Sequence, residues 1–172
     1  MNTLDAILSR KSVRAFNSDP ITDKELEVLL ASAWASPIGR AQYDSLSLTV
    51  ITNKNVISSW EALVGPDAHP FYGAGTVILV SSIINPAPSD NVNYSNAAIV
   101  VENIALAATE LNIGECHIWG AVRTLNKNPD FTKALNIPEG MVPCCAIALG
   151  HFDGELSKRN VIPNRIITNY IK

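Results

Sequence analysis

Asn96-Ala97-Ala98-Ile99-Val100-Val101-Glu102-Asn103-Ile104-Ala105-Leu106-Ala107-Ala108 carries polar groups only at Asn96, Glu102 and Asn103. A helix drawn over 93–111 therefore has apolar side chains around its whole axis, and such a helix must be buried on all sides. Asn112 and Gly114 supply its C-terminal punctuation. Glu102 and Asn103 interrupt the run, which falls short of the roughly 20 apolar residues that span a bilayer. One domain of 172 residues can hardly enclose the helix completely. A second subunit on its far face is one solution, and cover by its own chain is the other.

Moving outward, Thr76-Val77-Ile78-Leu79-Val80-Ser81-Ser82 is apolar enough for a sheet interior. Leu46, Leu48 and Val50 alternate with Ser47 and Thr49, which predicts a strand over 46–52. A helix is expected near 54–64. Pro66, Pro70, Gly73 and Gly75 mark one long loop, and Pro86 and Pro88 begin another. Beyond the central helix, 115–119 reads as a short strand. Asn128 and Pro129 read as the N-cap and first position of a helix near 129–135, and 142–149 as a third apolar strand.

Toward the N-terminus, Thr22 and Glu25 have capping-box spacing. Leu26, Leu29, Leu30, Ala33 and Trp34 then form an amphipathic stripe, which Ser36-Pro37-Ile38-Gly39 ends. A first helix, starting after Asn2 or Thr3, carries Leu4, Ile7 and Leu8 on one face. The interleaving of helices and strands gives an α/β or α+β fold. The length suits one domain over 1–172, with a polar tail, 151–172, that has little core of its own.

Composition narrows the function. Hydrophobic residues are 47% and charged residues 17% of the chain, enough apolar material for a core. A net charge of −3 gives no general attraction to nucleic acid or an anionic membrane. A small anion would need a local basic cluster. Cys116, Cys144 and Cys145 have neither disulfide nor zinc spacing and suit reduced thiols in a cytoplasmic protein. His69, His117 and His151 read as scattered, without an acidic or cysteine partner at ligand spacing, so no metal site is expected. Cys144 and Cys145 read as inert core. The glycine-rich nucleotide signatures and the Gly-x-Ser-x-Gly elbow are absent.

One basic cluster exists: Arg10-Lys11-Ser12-Val13-Arg14 places three cations and a hydroxyl within five residues. Forked guanidinium donors and a hydroxyl are what a phosphate monoester needs. Spacing alone equally suits a solvated basic patch at a helix C-terminus, where the dipole favours cations.

Arg10 to Phe16, followed by Pro20-Ile21 and Glu25-Leu26-x-x-Leu29-Leu30, resembles the opening of the nitroreductase family. Glu102 to Ala108 resembles that family's central helix, Leu111 to Gly120 the turn after it, and Met141 to Gly150 its penultimate strand. The resemblance covers nearly the whole chain. It implies an α+β three-layer sandwich, with a central, mostly antiparallel sheet flanked by helices, in an intertwined homodimer. It also implies FMN bound at the dimer interface and NAD(P)H as electron donor.

Carried over residue by residue, the resemblance assigns cofactor binding to Arg10, Lys11, Ser12, Arg14, Gln42, Ile118, Trp119 and Gly120. It adds Asn164 and Arg165 in the tail, while Pro37, Ile38 and Gly39 can offer backbone groups. The family's asparagine and Pro-Trp are replaced here by Arg40 and by Tyr43-Asp44. Arg40 and Tyr43, with Tyr72, are the candidate substrate pocket. No catalytic side chain is assigned, because the chemistry belongs to the flavin. The implied activity is ping-pong electron transfer to nitroaromatics, quinones or related small acceptors. A non-catalytic flavin-sequestering protein, or another flavin reaction such as flavin reduction or dehalogenation, remains an alternative reading of the altered 36–44 stretch.

Overall fold

Alternation at 46–50 and two unbroken apolar runs set the sheet. In the computed structural model, which describes residues 1–84 and 91–172, the strands are β1 (Leu46–Ile51), β2 (Thr76–Ile83), β3 (Gly114–Ile118) and β4 (Met141–Gly150). They pair antiparallel in the order β1-β2-β4-β3. β2 and β4 lie inside the sheet and are covered on both faces, which is why their sequences are apolar at nearly every position. The loop read from Pro86 and Pro88 falls outside the described residues.

The helices are α1 (Thr3–Ser9), α2 (Asp23–Trp34), α3 (Lys54–Val64), α4 (Val92–Glu110), α5 (Val122–Leu125) and α6 (Pro129–Ala134). Ile78, Val80, Cys145, Ile147 and Leu149 face α2 and α4. Val77, Leu79, Ala146 and Ala148 face the other layer, where Ile57 and Trp60 of α3 meet Val122 and Leu125 of α5. The result is the expected three-layer α+β sandwich. Trp60 closes the second layer by donating its indole N–H to the Ala121 carbonyl at 3.1 Å and meeting Phe71 edge-on. The capping box of α2 forms as read, with Thr22 and Glu25 each accepting from the other's backbone N–H.

Two expectations need correction, and one choice is narrowed. α4 is covered mostly by its own chain: Ala97, Val100, Val101, Ile104, Ala105 and Ala108 are buried, which leaves Ile99 as its exposed apolar residue besides Tyr94. α1 turns its small residues Ala6 and Ser9 inward, because they let it approach closely, and leaves Leu4 and Ile7 in solvent. The tail has no core of its own, but it is not simply polar. Val161, Ile162, Ile166, Ile167, Tyr170 and Ile171 are all exposed. The four-residue α5 had no clear pattern in the sequence.

Candidate functional site

The basic segment is laid along the outer edge of β3. Ser12 forms a parallel bridge with Glu115, and the Val13 N–H donates to the Glu115 carbonyl at 2.7 Å. Phe16 anchors the far end of the segment. Its ring lies on a floor of two glycines, where a Cβ at Gly114 would come within 3.0 Å of Cε1 and one at Gly150 within 3.1 Å of Cδ1. Glycine is needed there for close approach, not for backbone freedom. Arg14 follows on this segment, while at the C-terminal end of β3 Ile118 is buried and Trp119 and Gly120 are open.

Each basic side chain has a definite setting. Arg10 is not a free surface cation. Its Nη1 donates to Oε1 of Glu115 at 2.6 Å, and its Nε lies 3.9 Å from Glu102. Lys11 donates to the Glu155 carbonyl at 2.9 Å, which ties the start of the tail to the segment. Arg14 is exposed and lies over the Tyr72 ring at 5.9 Å, inside the range of a cation–π contact. Tyr72 holds φ at +55°, a left-handed conformation that a bulky residue rarely adopts, and its carbonyl accepts the Phe16 N–H.

Behind Arg10 is a cluster that spacing did not reveal. His117 bonds Glu115 through Nδ1 at 3.1 Å and reaches Glu102 through Nε2 at 3.2 Å. Burial works against charge on this imidazole, but the bonds to Glu102 and Glu115 outweigh it and push its pKa up to about 9. The hydrogen bond from His117, set against partial burial, holds the Glu102 carboxyl below its usual range. Glu115 is only 1% exposed. The histidines that read as scattered each have an acidic neighbour in the fold: His69 faces Glu61, and His151 faces Glu25. Glu115 shares β3 with His117, whereas Glu102, Glu61 and Glu25 come from other elements, which spacing does not show. Among the described residues, no group of three histidine, cysteine or acidic residues forms a metal centre.

The 36–45 loop is built separately. Its two 3-10 turns, Gly39–Ala41 and Tyr43–Ser45, are tied to α4 at one end. The Gly39 N–H donates to Asn96 Oδ1 at 3.0 Å, and Asn103 Nδ2 donates to Ser36 Oγ at 3.0 Å. A Cβ on Gly39 would meet Val92 Cγ2 at 2.7 Å. Arg40 and Ala41 both take positive φ, 59° and 52°. The loop thus stores backbone strain where its sequence departs most from the resemblance. Ile38 is buried, Pro37, Arg40 and Gln42 are exposed, and Tyr43 is 55% exposed. Ile38 and Tyr43 line an apolar groove of about 570 Å³ with Leu30, Trp34, Leu48 and Val50.

Within one chain, then, Arg10 to Arg14 lie along β3, with Arg14 against Tyr72. The 36–45 loop faces a groove whose lining includes none of them. The candidate substrate pocket is thereby split, with Tyr72 beside Arg14 and Arg40 and Tyr43 on the other loop. Asn164 and Arg165 are exposed and lie along α1, lining a shallow groove with Ile7 and Leu8. Trp119 is 50% exposed, so it is not a packed core aromatic. Burial pushes the Cys144 and Cys145 thiols up to about 11 and about 12, in keeping with unreactive structural cysteines.

Comparison with known proteins agrees with this fold. A model of the nitroreductase family matches residues 64–151. An FMN reductase (NADPH) of Bacillus subtilis (strain 168) is 22% identical over 182 residues, covering 96% of this chain and 72% of the relative. A crystal structure of a nitroreductase with bound FMN from Desulfitobacterium hafniense DCB-2 superposes with a TM-score of 0.84 at 25% identity, each chain fully covered. One from Bacteroides fragilis NCTC 9343 superposes with a TM-score of 0.82 at 24% identity, covering 99% of this chain and 100% of that one.

Proposed function

This chain belongs to the nitroreductase family, and from that premise we propose that it is an FMN-dependent oxidoreductase carrying electrons from NAD(P)H to small acceptors such as nitroaromatics or quinones. The observation that carries this reading is the basic segment Arg10 to Arg14 fixed along the edge of β3. The donor set there fits a phosphorylated flavin: guanidinium groups and a hydroxyl for a phosphate, and a strand end where a Cβ on Gly120 would meet nothing within 4 Å. The kinship with a flavin reductase and with an enzyme described with bound FMN supports the choice of cofactor.

When bound, FMN supplies the two-electron chemistry, while the protein supplies position and electrostatics. Arg10, Lys11 and Ser12 are assigned to the phosphate and the adjoining chain. Arg14 would place a positive charge at the ring's pyrimidine edge, and the backbone amides around Ile118, Trp119 and Gly120 would offer hydrogen-bond donors to the ring. The exposed apolar side chains Ile166, Ile167, Tyr170 and Ile171 favour a homodimer, because contiguous exposed apolar surface asks for a partner. In such a dimer, the tail's Asn164 and Arg165 would complete one flavin site. The 36–45 loop, through Pro37 to Gly39 and Gln42, would complete it from the other side, with Arg40, Tyr43 and Tyr72 around the acceptor. The free thiols suit a cytoplasmic setting.

A ping-pong order follows if donor and acceptor use one open face in turn. Steady-state rates with either nucleotide and a quinone should give parallel double-reciprocal lines, and intersecting lines would contradict the order. Arg10→Ala should weaken FMN binding about tenfold or more, the loss of one charge-assisted hydrogen bond. Unchanged affinity would remove Arg10 from the site.

A further inference from the structure

Arg10, Glu115, His117 and Glu102 close into a ring of alternating charge. Arg10 bonds Glu115, Glu115 bonds His117, His117 reaches Glu102, and Glu102 faces back to Arg10. Three elements contribute: the segment after α1, the inward-facing pair at alternate positions of β3, and the middle of α4. The inner member, Glu115, is out of solvent, so its charge must be met within the ring. Arg10 meets one carboxylate oxygen and His117 the other. Across the sheet His117 pairs with Ile147, which adds no charge. Arg159 of the tail also acts on Glu102.

The sum of these charges bears on the anion site beside them. With His117 protonated, two cations balance two carboxylates, and Lys11, Ser12 and Arg14 face a ligand without an opposing field. With His117 neutral, the ring carries one net negative charge next to a phosphate of about −1.5 to −2. Arg10 would then be held inward by two carboxylates, helped only by the exposed Arg159 acting on Glu102.

We propose that Glu102, Glu115 and His117 are positioning residues that fix the Arg10 guanidinium and, through the imidazolium of His117, make phosphate-dependent flavin binding possible. This rests on the FMN reading above. Neither Glu115 nor His117 would touch the flavin. They act through Arg10, and their effect is confined to ligands that carry the phosphate. Both ring nitrogens of His117 face carboxylates, so the protonated form is the one that satisfies them, and its elevated pKa of about 9 keeps that form through neutral pH.

The test compares dissociation constants of FMN and riboflavin, which lacks the phosphate, by flavin fluorescence quenching on the full chain near neutral pH. Wild-type protein should prefer FMN. His117→Gln should shrink that preference about tenfold while riboflavin affinity changes by less than about twofold. Glu115→Gln added to His117→Gln should restore it, because the excess carboxylate is gone. An unchanged preference in His117→Gln overturns the inference and leaves the FMN reading intact. No preference for FMN in the wild-type protein overturns the phosphate grip and this inference with it. If His117→Gln does not fold, the wild-type pH profile decides. The preference must fall as pH rises through about 9, where FMN's phosphate is already dianionic, and a flat profile overturns the inference.

Discussion

Glu115 and His117 stand two residues apart on β3, so their side chains share one face of the strand. Their carboxylate–imidazole bond and the Arg10 pair turn a strand edge into a charged support for the basic segment. The charge has a pH signature in stability. His117 titrates near 6.5 ordinarily and near 9 in the fold. A raised pKa adds stability that is fully present below about pH 6.5 and is lost as pH rises through about 9. Urea denaturation of wild-type protein should therefore show a decline over that interval on the order of 2 kcal/mol. His117→Gln should flatten the decline, and an equal slope in the variant would show that another group titrates. Gly39 makes a second, simpler prediction. Its missing Cβ leaves room for Val92, so Gly39→Ala should destabilise the chain by about 1–3 kcal/mol; an unchanged denaturation midpoint would show that Val92 yields without strain. Neither feature was open to spacing alone. Glu102 lies on another element from His117, and Val92 meets Gly39 only through the fold.

Elements whose periodicity was strong are the ones the sequence identifies well. The capping box places the start of α2, and the alternation at 46–50 places β1, because these local patterns agree with the packing they enter. Thr22→Ala should cost about 1 kcal/mol by thermal or chemical denaturation, with no effect on flavin binding. Ile104→Ala, in the fully buried middle of α4, should cost about 2–5 kcal/mol. A loss below about 1 kcal/mol would mean that the layer between α4 and the sheet relaxes around the cavity. The four-residue α5 lacked periodicity because a single turn is too short to express one. α1 misled in a different way. Its apolar residues Leu4 and Ile7 point outward, and the small Ala6 and Ser9 make the close contact with the body. In the tail, charged and amide residues between the isoleucines masked a segment with six exposed large apolar side chains.

For the whole molecule, the question is what covers those surfaces. Of the two covers the apolar central helix asked for, its own chain supplies most. The tail and the outer face of α1 are the better argument. Removing residues 160–172 should convert a dimer into a monomer on light scattering and weaken FMN binding, because Asn164 and Arg165 leave with the segment. A truncated chain that stays dimeric would place the interface elsewhere. The basic segment was legible as a cluster from sequence and as a cofactor grip only by resemblance. The fold adds that Arg10 is held by Glu115, that Arg14 meets Tyr72, and that the 36–45 loop borders a groove lined by neither. The most direct test of the central claim is anaerobic: load the purified full chain with FMN, add NADPH or NADH, and follow the flavin absorbance. The account predicts that at least one nucleotide bleaches the bound flavin and that a quinone restores the colour; bound FMN that neither nucleotide reduces would contradict it.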